Sequence, residues 1–321
     1  MAIGLIGVSV LSSDDVPPGV GGSGLPVVTL LPPPTLATST YAAVFAGDAT
    51  GTTDVTDALR SFLQSHNGQR VALAPDGVYR VNQLIFTASR LTVDFRGARL
   101  QQVATGAHGI LRIQSSSFVT LNDPTVYGTG YVWNPDQQNE HGIQIDGGSD
   151  ITINHPVIRD TRGDGIYIGY QAGENSPAVR VVINNVDIGR TSRNGIAPVA
   201  GQVTIQGGHI AQVGLHGVDF EPNSDAGAGS IVGIVDSVDI RRYGELPGIE
   251  SSSYAIAAGG YSTATKQSML IENLTGDVLR MTIRNTASVT VRNNVSDAST
   301  TADFPGSGSV TFTGNVRISQ E

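Results

Sequence analysis

The sequence predicts an all-β solenoid, a parallel β-helix of about ten coils with one capping helix and an extended N-terminal arm. Two features of the 321 residues carry this prediction. Short β-branched stretches recur every 22 to 33 residues with similar turns between them, and only residues 54–67 show helical periodicity. A repeat of this length cannot bury its own apolar face, so successive repeats must stack on one another.

The repeat is clearest at one turn, where a polar residue and a glycine precede a β-branched residue. The series comprises His108-Gly109-Ile110, His141-Gly142-Ile143, Asp164-Gly165-Ile166, Asn194-Gly195-Ile196 and His216-Gly217-Val218. Since the slot also accepts Asp and Asn, we interpret it as a polar turn position rather than a column of proton-transferring histidines. At roughly 25 residues per coil, residues 71–321 give about ten coils and a rod of ~48 Å.

Amide side chains recur at the turn after the next strand of each repeat. Asn154, Asn184 and Gln206 hold matching positions in three consecutive repeats. Matching positions in a parallel β-helix lie ~4.8 Å apart, which is within reach of side-chain hydrogen bonds. We therefore expect these amides to stack as a ladder.

One amphipathic helix is predicted over residues 54–67. Its apolar residues fall at i, i+3, i+4, i+7 and i+8, namely Val55, Ala58, Leu59, Phe62 and Leu63. Asp54 is the expected N-cap, and Gly68 ends the pattern. We expect this helix to cover the open first coil of the β-helix, which would otherwise expose strand edges.

Residues 1–45 are predicted to form a docking arm or linker. They contain six of the fifteen prolines and a glycine-rich run at residues 19–24, a composition typical of an extended segment without a core of its own. Apolar residues near Met1 are unusual for a free tail, which suggests that the arm packs on a partner. The first positive charge is Arg60, so the basic start of a secretory signal is missing and no signal peptide is expected.

Composition excludes several classes of function. The net charge is 19 − 28 = −9 and Lys266 is the only lysine, so there is no polycationic surface for nucleic acid. The absence of cysteine rules out disulfides, thiolate nucleophiles and thiolate metal sites. No run approaches the ~18 apolar residues of a membrane span, so membrane insertion is not expected.

The N-terminal motifs resemble those of the pectate-lyase-like superfamily of right-handed parallel β-helices. The similarity covers roughly residues 46–321 and includes Asp54-Val55-Thr56-Asp57-Ala58-Leu59 and Pro75-Asp76-Gly77-Val78-Tyr79. The stretch from His141 to Gly169 is similar to β-helical minor tail proteins of actinobacterial phages. This resemblance specifies the fold better than the function.

The resemblance implies a virion tail protein, either a tail fibre or a tailspike-like minor tail protein. In such proteins an N-terminal arm docks to the particle and the β-helices usually form homotrimers. Residues 1–45 would then contact other phage tail proteins, and the β-helix would contact host cell-surface polysaccharide. The superfamily also contains lyases, epimerases and glycoside hydrolases, but their Asp-Asp, Asp-Pro-His and clustered calcium-ligand motifs are not matched here, and no metal or cofactor is expected.

Two pairs of carboxylates are candidate catalytic groups. In Val218-Asp219-Phe220-Glu221 the apolar residues should face inward, which leaves Asp219 and Glu221 side by side on the outer face. An i, i+2 pair is ~6.5–7 Å apart, within the range of an inverting glycosidase, although a solvated acidic face is the alternative. Asp160 and Asp164 flank another turn, where neighbouring arginines favour plain ion pairing.

Aromatic residues are candidate glycan-binding groups. An insertion brings Tyr127, Tyr131 and the only tryptophan, Trp133, into seven residues, and Tyr167 follows in the next repeat. Aromatic rings among polar side chains stack on sugars, but such a loop also folds over the β-helix or packs on a neighbouring subunit. We therefore expect a tail protein that binds envelope glycans, with a polysaccharide hydrolase or lyase as the alternative.

Overall fold

The computed structural model describes residues 41–106, 108–170, 176–199, 201–222, 231–246, 252–259 and 267–317. It contains one α-helix, α1 (Thr56–Ser65), and a 3-10 turn at Pro135–Gln137 within this part of the chain. Residues 1–40, which form most of the predicted arm, lie outside the described residues. None of the described helices is long and apolar enough to span a membrane.

The strands follow one another along the chain with short turns between most of them. They are β1 Ala43–Val44, β2 Thr50–Asp54, β3 Arg70–Ala72, β4 Val78–Val81, β5 Leu84–Phe86, β6 Thr92–Asp94, β7 Arg99–Gln102, β8 Leu111–Gln114, β9 Ser117–Asn122, β10 Thr125–Tyr127, β11 Ile143–Asp146, β12 Ser149–Asn154, β13 Val157–Thr161, β14 Ile166–Gly169, β15 Val179–Thr191, β16 Ile196–Pro198, β17 Gln202–Val213, β18 Val218–Phe220, β19 Val232–Tyr243, β20 Ile256–Ala258, β21 Ser268–Glu272, β22 Thr275–Ile283, β23 Ser288–Arg292, β24 Val295–Asp303, β25 Ser309–Thr313 and β26 Val316–Arg317.

Every pairing between these strands is parallel, and the pairings define three faces of a right-handed parallel β-helix. The first face begins β1, β3, β6, β9 and β12, and the second begins β2, β4, β7, β10 and β13. The third face consists of β5, β8, β11, β14, β16, β18, β20 and the end of β22. The long strands β15, β17 and β19 turn the corner from the first face to the second. The predicted fold class is therefore confirmed.

The core consists of columns of like residues stacked along the axis. On the first face the register aligns Ile153, Ile183, Ile205, Val235 and Ile271, all of them fully buried. Each contributes about 1.5–3 kcal/mol by leaving water. The column ends at Phe312 in the last strand of this face, where the side chain is 42% exposed.

The helix α1 is shorter at both ends than its sequence pattern predicts. Asp54 belongs to β2 and is not the N-cap; instead its Oδ1 accepts hydrogen bonds from the backbone N–H and the hydroxyl of Thr56, at 2.8 and 2.5 Å. Of the predicted apolar face, Leu59 and Leu63 are buried in the same core as the third-face residue Leu84, whereas Ala58 is exposed and the prediction was wrong there.

An amide ladder runs along the turn between the first two faces. Asn184 donates through Nδ2 to Asn154 Oδ1, and Asn154 donates likewise to Asn122, both at 2.8 Å. Asn122 in turn donates to Asp94 at 2.6 Å. The ladder thus extends two hydrogen bonds beyond Asn154 at its N-terminal side, to Asn122 and Asp94, and the register places Gln206 beside Asn184.

The glycines of the recurring turn are required by the close approach of successive coils. A Cβ added at Gly195 would lie 2.5 Å from Ile210 Cγ2 and 2.6 Å from the carbonyl oxygen of Gly217. The equivalent position Gly165 has the same two kinds of neighbour, an isoleucine methyl and the next glycine carbonyl. The glycine therefore recurs in the sequence because the backbones of successive coils pack tightly at this corner.

We predict that Gly195→Ala lowers the free energy of unfolding by about 1–3 kcal/mol, because the added methyl overpacks a rigid corner. Gly189→Ala is the matched control, since the atom nearest to its Cβ is the Ala211 oxygen at 3.2 Å and the others are at 3.9 Å. Urea unfolding of both variants measures the difference. Equal stabilities would show that the corner relaxes freely.

Candidate functional site

Apart from residues 55–69, which contain α1, the longest connections between the described strands each begin or end at a strand of the third face. On one edge of this face, residues 128–142 join β10 to β11 and residues 244–255 join β19 to β20. On its other edge, residues 170–178, 221–231 and 259–267 follow β14, β18 and β20. Between the described strands, the turn from the first face to the second is by contrast repeatedly two residues long, as at residues 123–124 and 155–156.

Outward positions of the third face form two columns of side chains. The register aligns Arg112, Gln144, Tyr167 and Ala197 in the first column, which continues through Asp219, Ala257 and Thr282. The second column lies two residues further along each strand and includes Asp146, Gly169, Glu221, Gly259 and Arg284. Asp219 and Glu221 therefore lie on one strand end, as predicted, with Val218 and Phe220 fully buried in the core.

Asp219 is much less exposed than a solvated surface carboxylate, with only 9% of its area accessible. The Nδ2 of Asn194 lies 3.4 Å from Asp219 Oδ2. Glu221 is half-buried. The two carboxylates thus lie at the surface of a packed polar cluster rather than on an open acidic face.

Arg193 is the cationic centre of this cluster. Its Nη1 lies 3.4 Å from Asp164 Oδ2. The pKa of Arg193 is raised, first by the Asp164 carboxylate and, against the opposing effect of burial, also by Glu221 and Asp219. Sequence reasoning did not single out Arg193; the available signal was its position directly before the repeated turn residue Asn194.

Asp164 is completely buried, and its carboxylate contacts both a backbone N–H group and Arg193. Its Oδ1 accepts the backbone N–H of Asn194 at 3.0 Å, and its Oδ2 lies 3.1 Å from His141 Nδ1. Burial alone would raise the pKa of Asp164, but Arg193, His141 and the Asn194 N–H outweigh it, so the pKa lies below its usual value. This carboxylate is ionised and held in place.

Residues at the repeated turn form a chain of side-chain acceptors for backbone N–H groups. His141 Nδ1 accepts from Asp164, Asp164 accepts from Asn194, and the Asn194 Oδ1 accepts from the His216 N–H at 3.1 Å. His216 Nδ1 then accepts from the Tyr254 N–H at 3.1 Å. The slot requires an acceptor, which is why His, Asp and Asn interchange there.

The ring of Tyr167 borders the cluster around Arg193. Its ring stacks on His141, with centroids 4.6 Å apart and an interplanar angle of 11°. A Cβ on Gly169 would lie 2.6 Å from this ring, so the glycine makes room for it. Burial raises the pKa of Tyr167, with a further contribution from Asp146.

The structure does not join Asp160 to Asp164. Asp160 has a left-handed backbone conformation (φ 58°) and its carboxylate pairs with Arg190 on the next coil. Asp164 belongs to the separate network with His141 and Arg193 described above. Both aspartates are therefore ion-paired, but with arginines one coil away rather than with their sequence neighbours.

The aromatic insertion folds over the adjoining coil. Arg162 donates to Thr129 Oγ1 at 3.0 Å and to Gln137 Oε1 at 2.8 Å, which ties both halves of the insertion down. Arg99 lies over the ring of Tyr127 at 5.6 Å, and Arg190 over that of Tyr131 at 5.5 Å.

Within the insertion, Tyr131 and Trp133 are both partly buried. Burial raises the pKa of Tyr131 to about 12. Trp133 is partly exposed. None of these aromatic residues touches the Arg193 cluster in the contacts of the described chain, whereas Tyr167 does through His141.

An open pocket of about 460 Å³ lies at the same corner, beside the cluster. Its walls come from three segments: residues 242–244, residues 252–253 and residues 277–280. Tyr254 connects the two regions, because its ring packs on His216 at 5.5 Å and lies 4.8 Å below the Arg280 guanidinium. No group of three or more potential metal ligands occurs among the described residues.

The fold has close structural relatives among phage tailspikes. No protein-family model matches the sequence, and no curated protein is similar to it. Tailspike protein 2 of bacteriophage CBA120 matches in its enzymatically active domain with a TM-score of 0.61 at 13% identity, over 84% of this chain and 42% of that one. The tailspike gp49 of Acinetobacter baumannii bacteriophage Fri1, a capsular polysaccharide depolymerase, matches with a TM-score of 0.54 at 14% identity, over 86% of this chain and 57% of that one.

These similarities define the class of fold to which the chain belongs. It is a right-handed parallel β-helix, a fold that it shares with these tailspikes. The chain spans about two fifths to three fifths of the length of these two proteins.

We predict that the protonation of His216 destabilises the fold. Burial, followed by Arg193, lowers the pKa of His216 from 6.5 to about 4, because its Nδ1 must stay unprotonated to accept the Tyr254 N–H. The unfolded chain therefore binds the proton more tightly, and roughly 2–3 kcal/mol of stability present above pH 6.5 is lost as the pH falls to 4.

The measurement is the free energy of unfolding against pH for the wild type and His216→Asn, which keeps an acceptor as Asn194 does. The variant should lose less stability between pH 6.5 and 4. His155→Asn is the control, since that side chain is 59% exposed. A wild type and a His216→Asn variant with parallel curves would contradict the prediction.

Proposed function

We propose that this chain is a virion tail protein of the tailspike class, whose third face binds cell-envelope polysaccharide of the host. The observation that supports it best is that, apart from residues 55–69, which contain α1, every connection of nine or more residues between the described strands begins or ends at a strand of that face. Variable loops on a rigid scaffold are the usual location of binding residues. The first and second faces, with their two-residue turn, form the scaffold.

The chemistry of the third face suits a saccharide. Asp219 and Glu221 supply carboxylate acceptors, Arg193 supplies donors, and Tyr167 and Tyr254 supply aromatic rings beside them. Convergent polar groups with a few aromatic walls are typical of small-molecule and sugar sites. Coils ~4.8 Å apart also repeat on a scale close to the length of one pyranose unit.

Docking and assembly follow from the same proposal. Residues 1–45 would attach the chain to other phage tail proteins and place it in the virion tail, outside the host cell. The chain would act as a homotrimer, with the arm as the assembly element. Among the exposed large apolar residues of the described surface, only Val310 and Phe312 share a strand, β25.

A second candidate function is hydrolysis of the bound polysaccharide. It is favoured by one observation, the alternation that places Asp219 and Glu221 at outward positions ~6.5–7 Å apart, the spacing of an inverting acid and base. Arg193 would then hold both carboxylates in register. The depolymerase activity of the Fri1 tailspike belongs to a chain with the same fold, and fold alone does not transfer it.

The two functions predict different fates for polysaccharide purified from candidate hosts. A binding protein retains the polymer intact, and Glu221→Gln weakens retention roughly tenfold because a charge-assisted hydrogen bond is lost. An enzyme releases shortened products, and Asp219→Asn or Glu221→Gln lowers the rate by about 10²–10⁴. Size-exclusion chromatography of the polymer and a plate-binding assay separate the two.

Two further variants serve as controls. Glu272→Gln makes the same chemical change on the first face, where Glu272 pairs with Arg292, and should leave retention unchanged. Trp133→Ala tests whether the insertion takes part, with weaker retention expected if its partly exposed ring stacks on the polymer. Polymer that is neither retained nor shortened would rule out both functions.

We predict a solution mass near 3 × 33.4 = 100.2 kDa for the full chain, and the mass of a single shortened chain, below 33.4 kDa, once the arm is removed. The truncation should begin at Tyr41 rather than inside the β-helix, since Ala43–Val44 pairs with β3 and Phe45 packs on Phe62 and Tyr79. Light scattering gives both masses. A monomeric full chain would contradict the homotrimer.

A further inference from the structure

The pocket at the corner beside the third face has walls of unusual composition for a β-helix turn. Arg242, Tyr243, Ser252, Ser253, Asp277 and Arg280 line it. Its volume of about 460 Å³ lies within the range of small-molecule sites. The pocket could not be predicted from sequence, because its walls come from three separate segments, residues 242–244, 252–253 and 277–280.

Most of the polar groups in the pocket are already engaged. Asp277 accepts the backbone N–H groups of Arg242 at 3.1 Å and of Val278 at 2.8 Å. Arg242 donates through Nε to Glu245 Oε1 at 2.7 Å. The Tyr243 hydroxyl donates to the Val278 carbonyl at 3.0 Å and accepts from the Arg280 N–H at 3.2 Å. These contacts build the walls and fix their shape.

Arg280 differs from these groups. Its side chain is exposed, and the contact that orients it is the ring of Tyr254, 4.8 Å from the guanidinium carbon. No ion pair to Arg280 occurs within the described part of the chain, whereas Arg242 has Glu245. This contact with the ring does not use the N–H groups of the guanidinium, and a guanidinium binds a carboxylate or phosphate through two hydrogen bonds.

We propose that this pocket binds an anionic sugar residue, with its carboxylate or phosphate group on Arg280 and its hydroxyls near Ser252 and Ser253. The site is distinct from the Asp219 and Glu221 carboxylates, to which His216 and Tyr254 connect it. This proposal specifies one sugar of the polysaccharide in the proposed function. It rests on that function only in assigning the anionic sugar to that polymer. Binding of the isolated sugar is independent of it.

The test is titration of the full chain with glucuronate, glucose 6-phosphate and glucose, followed by calorimetry or saturation-transfer NMR. At least one of the two anionic sugars should bind roughly tenfold or more tightly than glucose, since a charge-assisted pair is gained. The two anions separate a carboxylate from a phosphate preference. Equal binding of all three sugars, or binding of neither anion, would overturn the proposal.

Variants locate the site. Arg280→Ala should abolish the preference for the anion, and Arg280→Lys should restore part of it by returning the charge without the two-pronged geometry. Arg90→Ala is the matched control, as an exposed arginine that also lies over an aromatic ring, that of Phe118, and does not line the pocket. An unchanged anion preference in Arg280→Ala, with the thermal unfolding temperature also unchanged, would overturn the assignment.

Glu221→Gln separates this inference from the proposed function. It should impair retention of the envelope polysaccharide and leave binding of the isolated anionic sugar intact. Polysaccharide retained by wild type and by Arg280→Ala alike, with no anion preference in either, would leave the proposed function standing and overturn the pocket assignment alone.

Discussion

The close approach of successive coils at one corner constrains the rest of this structure. At the turn before the third face, an isoleucine methyl and a glycine carbonyl from neighbouring coils leave no room for a Cβ. Backbone N–H groups at this corner are buried, so each coil must supply a side-chain acceptor to the next. Each turn therefore requires both a glycine and an adjacent polar acceptor. The polar residues that accept these backbone N–H groups also lie at the edge of the third face.

Because the same turn residues satisfy the backbone and border the third face, they also explain the electrostatics of the cluster around Arg193. Asp164 can be buried as an anion because the Asn194 N–H and Arg193 both stabilise its charge. Arg193, so fixed, in turn lies within the electrostatic reach of Glu221 and Asp219. A group required for folding thus sets the charge environment of the outward carboxylates. Mutations at the turn and mutations at the third face should accordingly be coupled rather than additive.

The fold could be predicted from sequence because it depends on periodic features. Three features repeat along the chain: the polar-Gly-Ile turns, the inward alternation seen around Asp219, and the amide contact seen at Asn154–Asn184. A repeating pattern can be recognised in the sequence alone. The candidate site could be predicted only where alternation decides orientation. Pairing Asp160 with Asp164 relied on proximity in sequence, whereas their partners are Arg190 and Arg193 on the next coil. Arg280 and its pocket depend on irregular excursions, which carry no periodic signal.

The unequal lengths of the connections have a consequence for how such a molecule can change over generations. The 15-residue insertion at residues 128–142 and the excursion at residues 244–255 enter and leave without altering the strand register on either side. Length can vary at the edges of the third face while every core column is preserved. The molecule therefore separates the core columns, which must be inherited unchanged, from connections whose length and sequence can change without a new fold.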